Sequence, residues 1–104
     1  ESIVHELASQ TAERVGVANG VPREAVNCFD DYVGPGYSRP TEGMVEAVKL
    51  LASTEAILLD PVYSGKGLSG LIDLVRKGHF ADAENVVFLH TGGSASLFGY
   101  PAHF

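Results

Sequence analysis

Tyr37 and Tyr63 are the two side chains best placed to do chemistry. Tyr37 lies in the loop Val33-Gly34-Pro35-Gly36-Tyr37-Ser38-Arg39-Pro40, fixed by two prolines and loosened by two glycines. Tyr63 directly follows the run Leu58-Leu59-Asp60-Pro61-Val62. A phenol can hold a carboxylate or an amine, and with a tuned pKa it can move a proton. Spacing alone equally allows two packed rings with wetted hydroxyls. Ser64-Gly65-Lys66-Gly67 continues past Tyr63, and a second apolar run ends in His90-Thr91-Gly92-Gly93. Both runs have strand character and end in hydroxyl and glycine chemistry. Residues just past the carboxyl end of a parallel strand face the crevice where such sheets bind ligands. The two endings therefore read as two walls of one site, with Tyr37 and Tyr63 pointing into it.

Other chemistry is thinner. Thr91-Gly92-Gly93-Ser94, after a strand and before a helix, has the layout of an anion-binding turn, although glycine there can serve shape alone. Gly65-Lys66-Gly67 lacks the spacing of a phosphate loop. His5, His79, His90 and His103 share no metal-ligand spacing, so no metal site is expected. His90 reads as a satisfied core histidine, Cys28 as a packed thiol, and Asp30-Asp31 as solvated loop charge.

Positioning these residues requires alternating elements. Ile3, Val4, Leu7, Ala8, Thr11, Ala12 and Val15 give residues 2–15 a helical period, stopped by Gly16. Residues 22–26 allow one helical turn, and 27–32 read as a short strand. Thr41 N-caps a second helix whose Met44, Val48 and Leu51 form a core stripe. Residues 56–59 read as the second strand. A third helix starts at Ser64 or Gly65 and is closed by Arg76, Lys77 and Gly78. Residues 86–89 read as a third strand, and 94–98 as a short helix. The order α-β-α-β-α-β-α implies an α/β fold of parallel strands with helical crossovers.

Composition bounds the function. The 104 residues fit one domain at most, and 45% apolar with 19% charged is ordinary for a globular chain. A net charge of −6 argues against a nucleic-acid partner. No apolar run reaches the ~18–20 residues of a membrane span, and the start lacks a signal-peptide layout. One cysteine precludes an internal disulfide and suits a reducing, cytoplasmic setting. The chain opens on Glu1, already in helical pattern, which suggests a piece of a longer protein.

Residues 31–100 resemble the C-terminal part of the pyridoxal-phosphate enzymes that include D-cysteine desulfhydrase and 1-aminocyclopropane-1-carboxylate (ACC) deaminase. The resemblance rests on Gly36-Tyr37, Pro40-Thr41-Glu42-Gly43-Met44, Glu46-Ala47-Val48, Leu59-Asp60-Pro61-Val62-Tyr63-Ser64-Gly65-Lys66, Gly70-Leu71-Ile72-Asp73 and His90-Thr91-Gly92-Gly93, in that order. Residues 1–30 match only in general character. The resemblance implies a tryptophan-synthase-β-like (fold type II) architecture. Residues 1–104 would be the C-terminal segment of its large domain, incomplete by itself, and the partner the remainder of the same enzyme, typically a homodimer.

The family's cofactor is pyridoxal 5′-phosphate, held as a Schiff base by a lysine in an Asn-Lys motif that does not occur here. Lys49, Lys66 and Lys77 do not match it, and the phosphate loop also lies upstream, so this chain alone would be inactive. By resemblance, Tyr37 and Tyr63 occupy the positions of two catalytic tyrosines. Ser64, Thr91 and Gly92 fall at cofactor-binding positions, with Ser64 beside the pyridine nitrogen. ACC deaminases carry Glu where Ser64 stands and Leu where Thr91 stands. The Ser/Thr pair matches the desulfhydrase pattern, which implies β-elimination from a small amino acid: D-cysteine to pyruvate, hydrogen sulfide and ammonia. Arg39, in a Ser38-Arg39 pair that departs from the family, is either surface charge or the recognition group for a sulfonate. The alternatives are accordingly an L-cysteate sulfo-lyase, then an ACC deaminase, and outside enzymes a standalone α/β binding module.

Overall fold

Local capping chemistry decides where the helices begin and end. In a computed structural model, which describes residues 1–104, helix α1 runs Ser2–Val15, α2 Glu42–Glu55 and α3 Ser64–Arg76. Gly16 takes a left-handed conformation (φ 73°), its N–H donates to Glu13 O, and the Val17 N–H returns to Ala12 O. That pair of bonds is a Schellman ending, which satisfies carbonyls the helix leaves free. Gly78 repeats it after α3, with bonds from Gly78 to Val75 O and from His79 to Leu74 O. Thr41 caps α2 as expected, its Oγ1 accepting the Met44 N–H at 3.2 Å. The turn near residue 23 and the helix near residue 94 form as 3-10 helices, Arg23–Ala25 and Ser94–Gly99, and a further one spans Pro101–His103.

The core lies where α2 meets α3. Met44, Ala47, Val48, Leu59 and Leu68 are buried together, with Leu51, Leu71, Ile72 and Phe88 packed against them. The two helices approach closely at Gly65, where a Cβ would stand 2.7 Å from Asp60 O and 3.0 Å from both Met44 Cγ and Val48 Cγ2. Glycine is required there by contact.

The structure does not confirm the parallel sheet expected from the sequence. Segments 27–32, 56–59 and 86–89 carry no strand, and none of the backbone hydrogen bonds outside the helices joins one of them to another. Ala56, expected to open a strand, instead ends α2 in a left-handed conformation (φ 56°). A strand exists only through a ladder with a neighbour, and these three segments do not neighbour one another in register. Leu59 is buried in the helix core and Phe88 packs against it, but other apolar side chains of these segments stand in solvent: Val87 is 88% and Leu89 78% exposed. The apolar stripe of α1 is likewise uncovered, with Ile3, Leu7 and Val15 exposed and Ala12 its buried member. Cys28 is exposed too, not packed. Only 12 of 104 residues are buried, and the radius of gyration is 15.6 Å against the ~13 Å of a 100-residue domain.

Candidate functional site

Asp60 organises the start of α3. Its side chain is buried, and Oδ2 accepts the Val62 N–H at 2.8 Å and the Tyr63 N–H at 2.7 Å. Oδ1 accepts the Ser64 N–H at 2.7 Å and the Ser64 hydroxyl at 2.5 Å. The Asp60 carbonyl takes the Gly65 N–H at 2.8 Å. One residue thus satisfies the N–H groups of Tyr63, Ser64 and Gly65, which a helix start would leave orphaned, and that of Val62 just before it. Burial pushes the Asp60 carboxyl up, but the hydrogen bonds from Ser64, Tyr63 and Val62 outweigh it and hold the group below its ordinary value. The anion is the form these donors select.

Two tyrosines meet at the mouth of a groove. The Tyr37 and Tyr63 hydroxyls lie 2.8 Å apart, their rings edge-to-face with centroids 5.9 Å apart. Both rings are largely exposed, at 74% and 63%. The Tyr37 hydroxyl raises the Tyr63 pKa through their hydrogen bond, with burial adding to it. The pair carries two O–H protons; one is spent between the phenols, and the other stays free for a ligand. The groove has a volume of about 500 Å³, and its lining is mostly apolar, with Phe29, Leu71 and Phe80 alongside Tyr32, both tyrosines and the stem of Lys66. Tyr32 is engaged elsewhere, donating to Asp73 Oδ2 at 2.6 Å.

The second wall reaches the first through Asp60. Gly93 (φ 87°) rests on the Asp60 side chain, and a Cβ there would stand 3.2 Å from Asp60 Cβ. His90 stitches the walls together, its Nε2 donating to Leu58 O at 3.0 Å. The Gly92 N–H donates to His90 Nδ1 at 3.0 Å, which leaves the ring's proton on Nε2. His90 is therefore an exposed, hydrogen-bonded link, not the core histidine expected.

The sequence-derived site residues fall into two groups. Tyr37 and Tyr63 are brought together. Thr91 and Gly92 are exposed near Asp60 but do not line the tyrosine groove, and neither does Ser64. Ser64 is buried, with its proton given to Asp60 and one lone pair accepting the Asp60 N–H at 2.9 Å. One lone pair remains, so Ser64 can accept a hydrogen bond from a ring N–H. That one free acceptor fits a ring N–H, such as the protonated pyridine end of pyridoxal phosphate. Of the lysines, Lys49 and Lys77 are exposed, and Lys66 is bound to backbone carbonyls.

Sequence reasoning missed Asp60 and Lys66. An Asp-Pro pair just ahead of a helix start is a capping signal and points to the first. Nothing local signals the second.

Known proteins resemble this chain over most of its length. Residues 1–92 match the family described as "Pyridoxal-phosphate dependent enzyme". The chain is 44% identical, over 98% of its length, to a D-cysteine desulfhydrase of Klebsiella pneumoniae (strain 342), covering 32% of that protein. It is 50% identical, over 75% of its length, to a D-cysteine desulfhydrase of Salmonella newport (strain SL254), covering 24% of that protein. The chain thus spans about a third or less of the curated relatives it matches. With a family match across most of its length, the chain belongs to the pyridoxal-phosphate dependent enzymes.

Proposed function

We propose that this chain contributes the tyrosine wall and the ring-nitrogen side of a D-cysteine desulfhydrase, in which D-cysteine and water become pyruvate, hydrogen sulfide and ammonia. The observation that carries it is the pair of phenols, 2.8 Å apart, at the mouth of the groove. The similarity to two D-cysteine desulfhydrases supports the substrate. Bound pyridoxal phosphate supplies an electron sink for the charge left when Cα loses its proton. The chain's own residues act at the leaving group and at the ring edge. Tyr63, kept protonated by its bond to Tyr37, turns that O–H to the departing sulfur, while Tyr37, whose own O–H is the free one of the pair, holds the substrate in reach. Ser64, fixed by Asp60, would accept a hydrogen bond from the pyridine ring in its N-protonated form, and the exposed Thr91 and Gly92 would border the same edge. Arg39 is exposed and outside the groove lining, which leaves a sulfonate without its recognition group.

In this reading the chain is the C-terminal segment of a fold type II large domain. Segments 27–32, 56–59 and 86–89 become parallel strands when the remainder of the enzyme supplies ladder partners. The exposed Val87 and Leu89 and the large radius of gyration support that. The assembled enzyme is a cytoplasmic homodimer. The test is substrate choice by the full-length protein. It should consume D-cysteine far faster than L-cysteate or ACC, and a preference for either of the others would overturn the assignment.

A further inference from the structure

Lys66 is 8% exposed, yet its ammonium makes no ion pair. A buried cation is costly unless its donors are satisfied. Here the partners are two carbonyls of a single loop: Nζ donates to Val33 O at 2.6 Å and to Gly36 O at 3.1 Å. Those carbonyls flank the Gly34-Pro35 turn, and the next residue is Tyr37. The Gly36 carbonyl also accepts the Arg39 N–H at 3.3 Å, which closes the turn around Tyr37. Lys66 lies three residues beyond Tyr63 on the same helix start. One short stretch of chain therefore carries one phenol and the anchor that sets the height of the other.

We propose that Lys66 is a positioning residue whose ammonium clamps the Val33 and Gly36 carbonyls and so holds the Tyr37 phenol against Tyr63. The inference rests on the proposed role of the tyrosine pair and extends it to a residue outside the reacting groups. A lysine that only filled space would need its stem and not its charge. Lys66→Met separates the two, because it keeps an unbranched apolar stem and removes all three donors.

The experiment is a double-mutant cycle in the full-length enzyme loaded with pyridoxal phosphate. The kcat and KM for D-cysteine are measured for wild type, Lys66→Met, Tyr37→Phe and the double variant. Lys66→Met should lower kcat about tenfold or more on its own, and less than twofold once Tyr37 is already Phe, because contacts in one network do not add. Lys66→Gln, which keeps an amide donor, should fall between wild type and Lys66→Met, and serves if the Met variant does not fold. Amide exchange across residues 33–39 of the resting enzyme gives a readout independent of turnover. It should quicken at least tenfold in Lys66→Met while α2 is unchanged. Equal losses in both backgrounds, or unchanged exchange across the loop, would overturn the clamp and leave the tyrosine reading standing. Wild-type turnover by Tyr37→Phe would instead overturn the role of Tyr37 itself, and with it the need for positioning.

Discussion

Asp60 and Ser64 hold each other at both ends: the Asp60 N–H donates to Ser64 Oγ at 2.9 Å, and the Ser64 hydroxyl donates to Asp60 Oδ1 at 2.5 Å. The exchange fixes the Ser64 rotamer and leaves it one free lone pair. The same carboxylate carries the Tyr63 N–H and supports Gly93, so a single buried anion orients residues of both walls. A shift of Asp60 would displace the phenol, the hydroxyl and the glycine turn together.

That anion makes stability depend on acid. The Asp60 carboxyl lies below its ordinary value because Ser64, Tyr63 and Val62 donate to it against the opposing cost of burial. A depressed carboxylate stabilises the fold fully above the unfolded value, about 4, and loses that contribution as pH falls through the folded value. Asp60→Asn should cost about 1–3 kcal/mol at pH 7, the scale of hydrogen bonds to a charged group. Urea unfolding at pH 7 and at pH 3 checks this, and the gap between variant and wild type should narrow in acid. A gap that does not change with pH would mean that Asp60 acts by shape alone.

Gly65→Ala should destabilise the protein. Alanine gains about 1 kcal/mol over glycine in a helix interior. Against it stands a Cβ 2.7 Å from Asp60 O, a backbone atom already held by the Gly65 N–H, and 3.0 Å from Met44 Cγ and Val48 Cγ2. Overpacking of this kind costs about 1–3 kcal/mol, which exceeds the propensity gain at most of that range. A drop in the thermal midpoint is expected, and a rise would show that α2 and α3 can part without loss.

The opposite sign is expected at Ala56, whose left-handed conformation (φ 56°) ends α2. That conformation costs a residue with a Cβ about 1–2 kcal/mol, and glycine escapes it. Part of the gain is offset by the greater freedom glycine loses on folding, about 0.5–1 kcal/mol. Ala56→Gly should therefore raise stability slightly in chemical unfolding. A loss would place the folded enzyme's residue 56 outside the left-handed region.

The features legible in the sequence are those that neighbours along the chain determine. Thr41, Gly16 and Gly78 mark helix ends because the groups they satisfy lie within a few residues of them. The meeting of Tyr37 and Tyr63 is also expected from the sequence, but on the premise of a sheet that these residues do not form among themselves. The loop and the start of α3 bring the phenols together without it. Ladder partners are set by segments distant in sequence, so an apolar run such as Val86–Leu89 shows strand character without showing a partner. Lys66 is opaque for a related reason: its partners, Val33 O and Gly36 O, are backbone atoms about 30 positions away, and a carbonyl has no residue type to read.

The tyrosine pair gives the prediction that bears most directly on function. Phenylalanine at either position keeps the ring and removes only the oxygen, so any loss of turnover reports the hydroxyl. Tyr63→Phe in the full-length enzyme should lower kcat by about 10²–10⁴, the usual contribution of a general acid or base, with cofactor content unchanged. Tyr37→Phe should affect kcat and KM together, because it removes a substrate contact and the partner of Tyr63. The pH profile separates these effects further. The Tyr37 hydroxyl raises the Tyr63 pKa above its ordinary value near 10, so Tyr63 keeps its proton further into alkali when Tyr37 is present. Without the Tyr37 hydroxyl, the alkaline limb of kcat should move to lower pH, toward that of an isolated phenol. An alkaline limb that stays in place in Tyr37→Phe would mean that the proton delivered in turnover does not come from Tyr63.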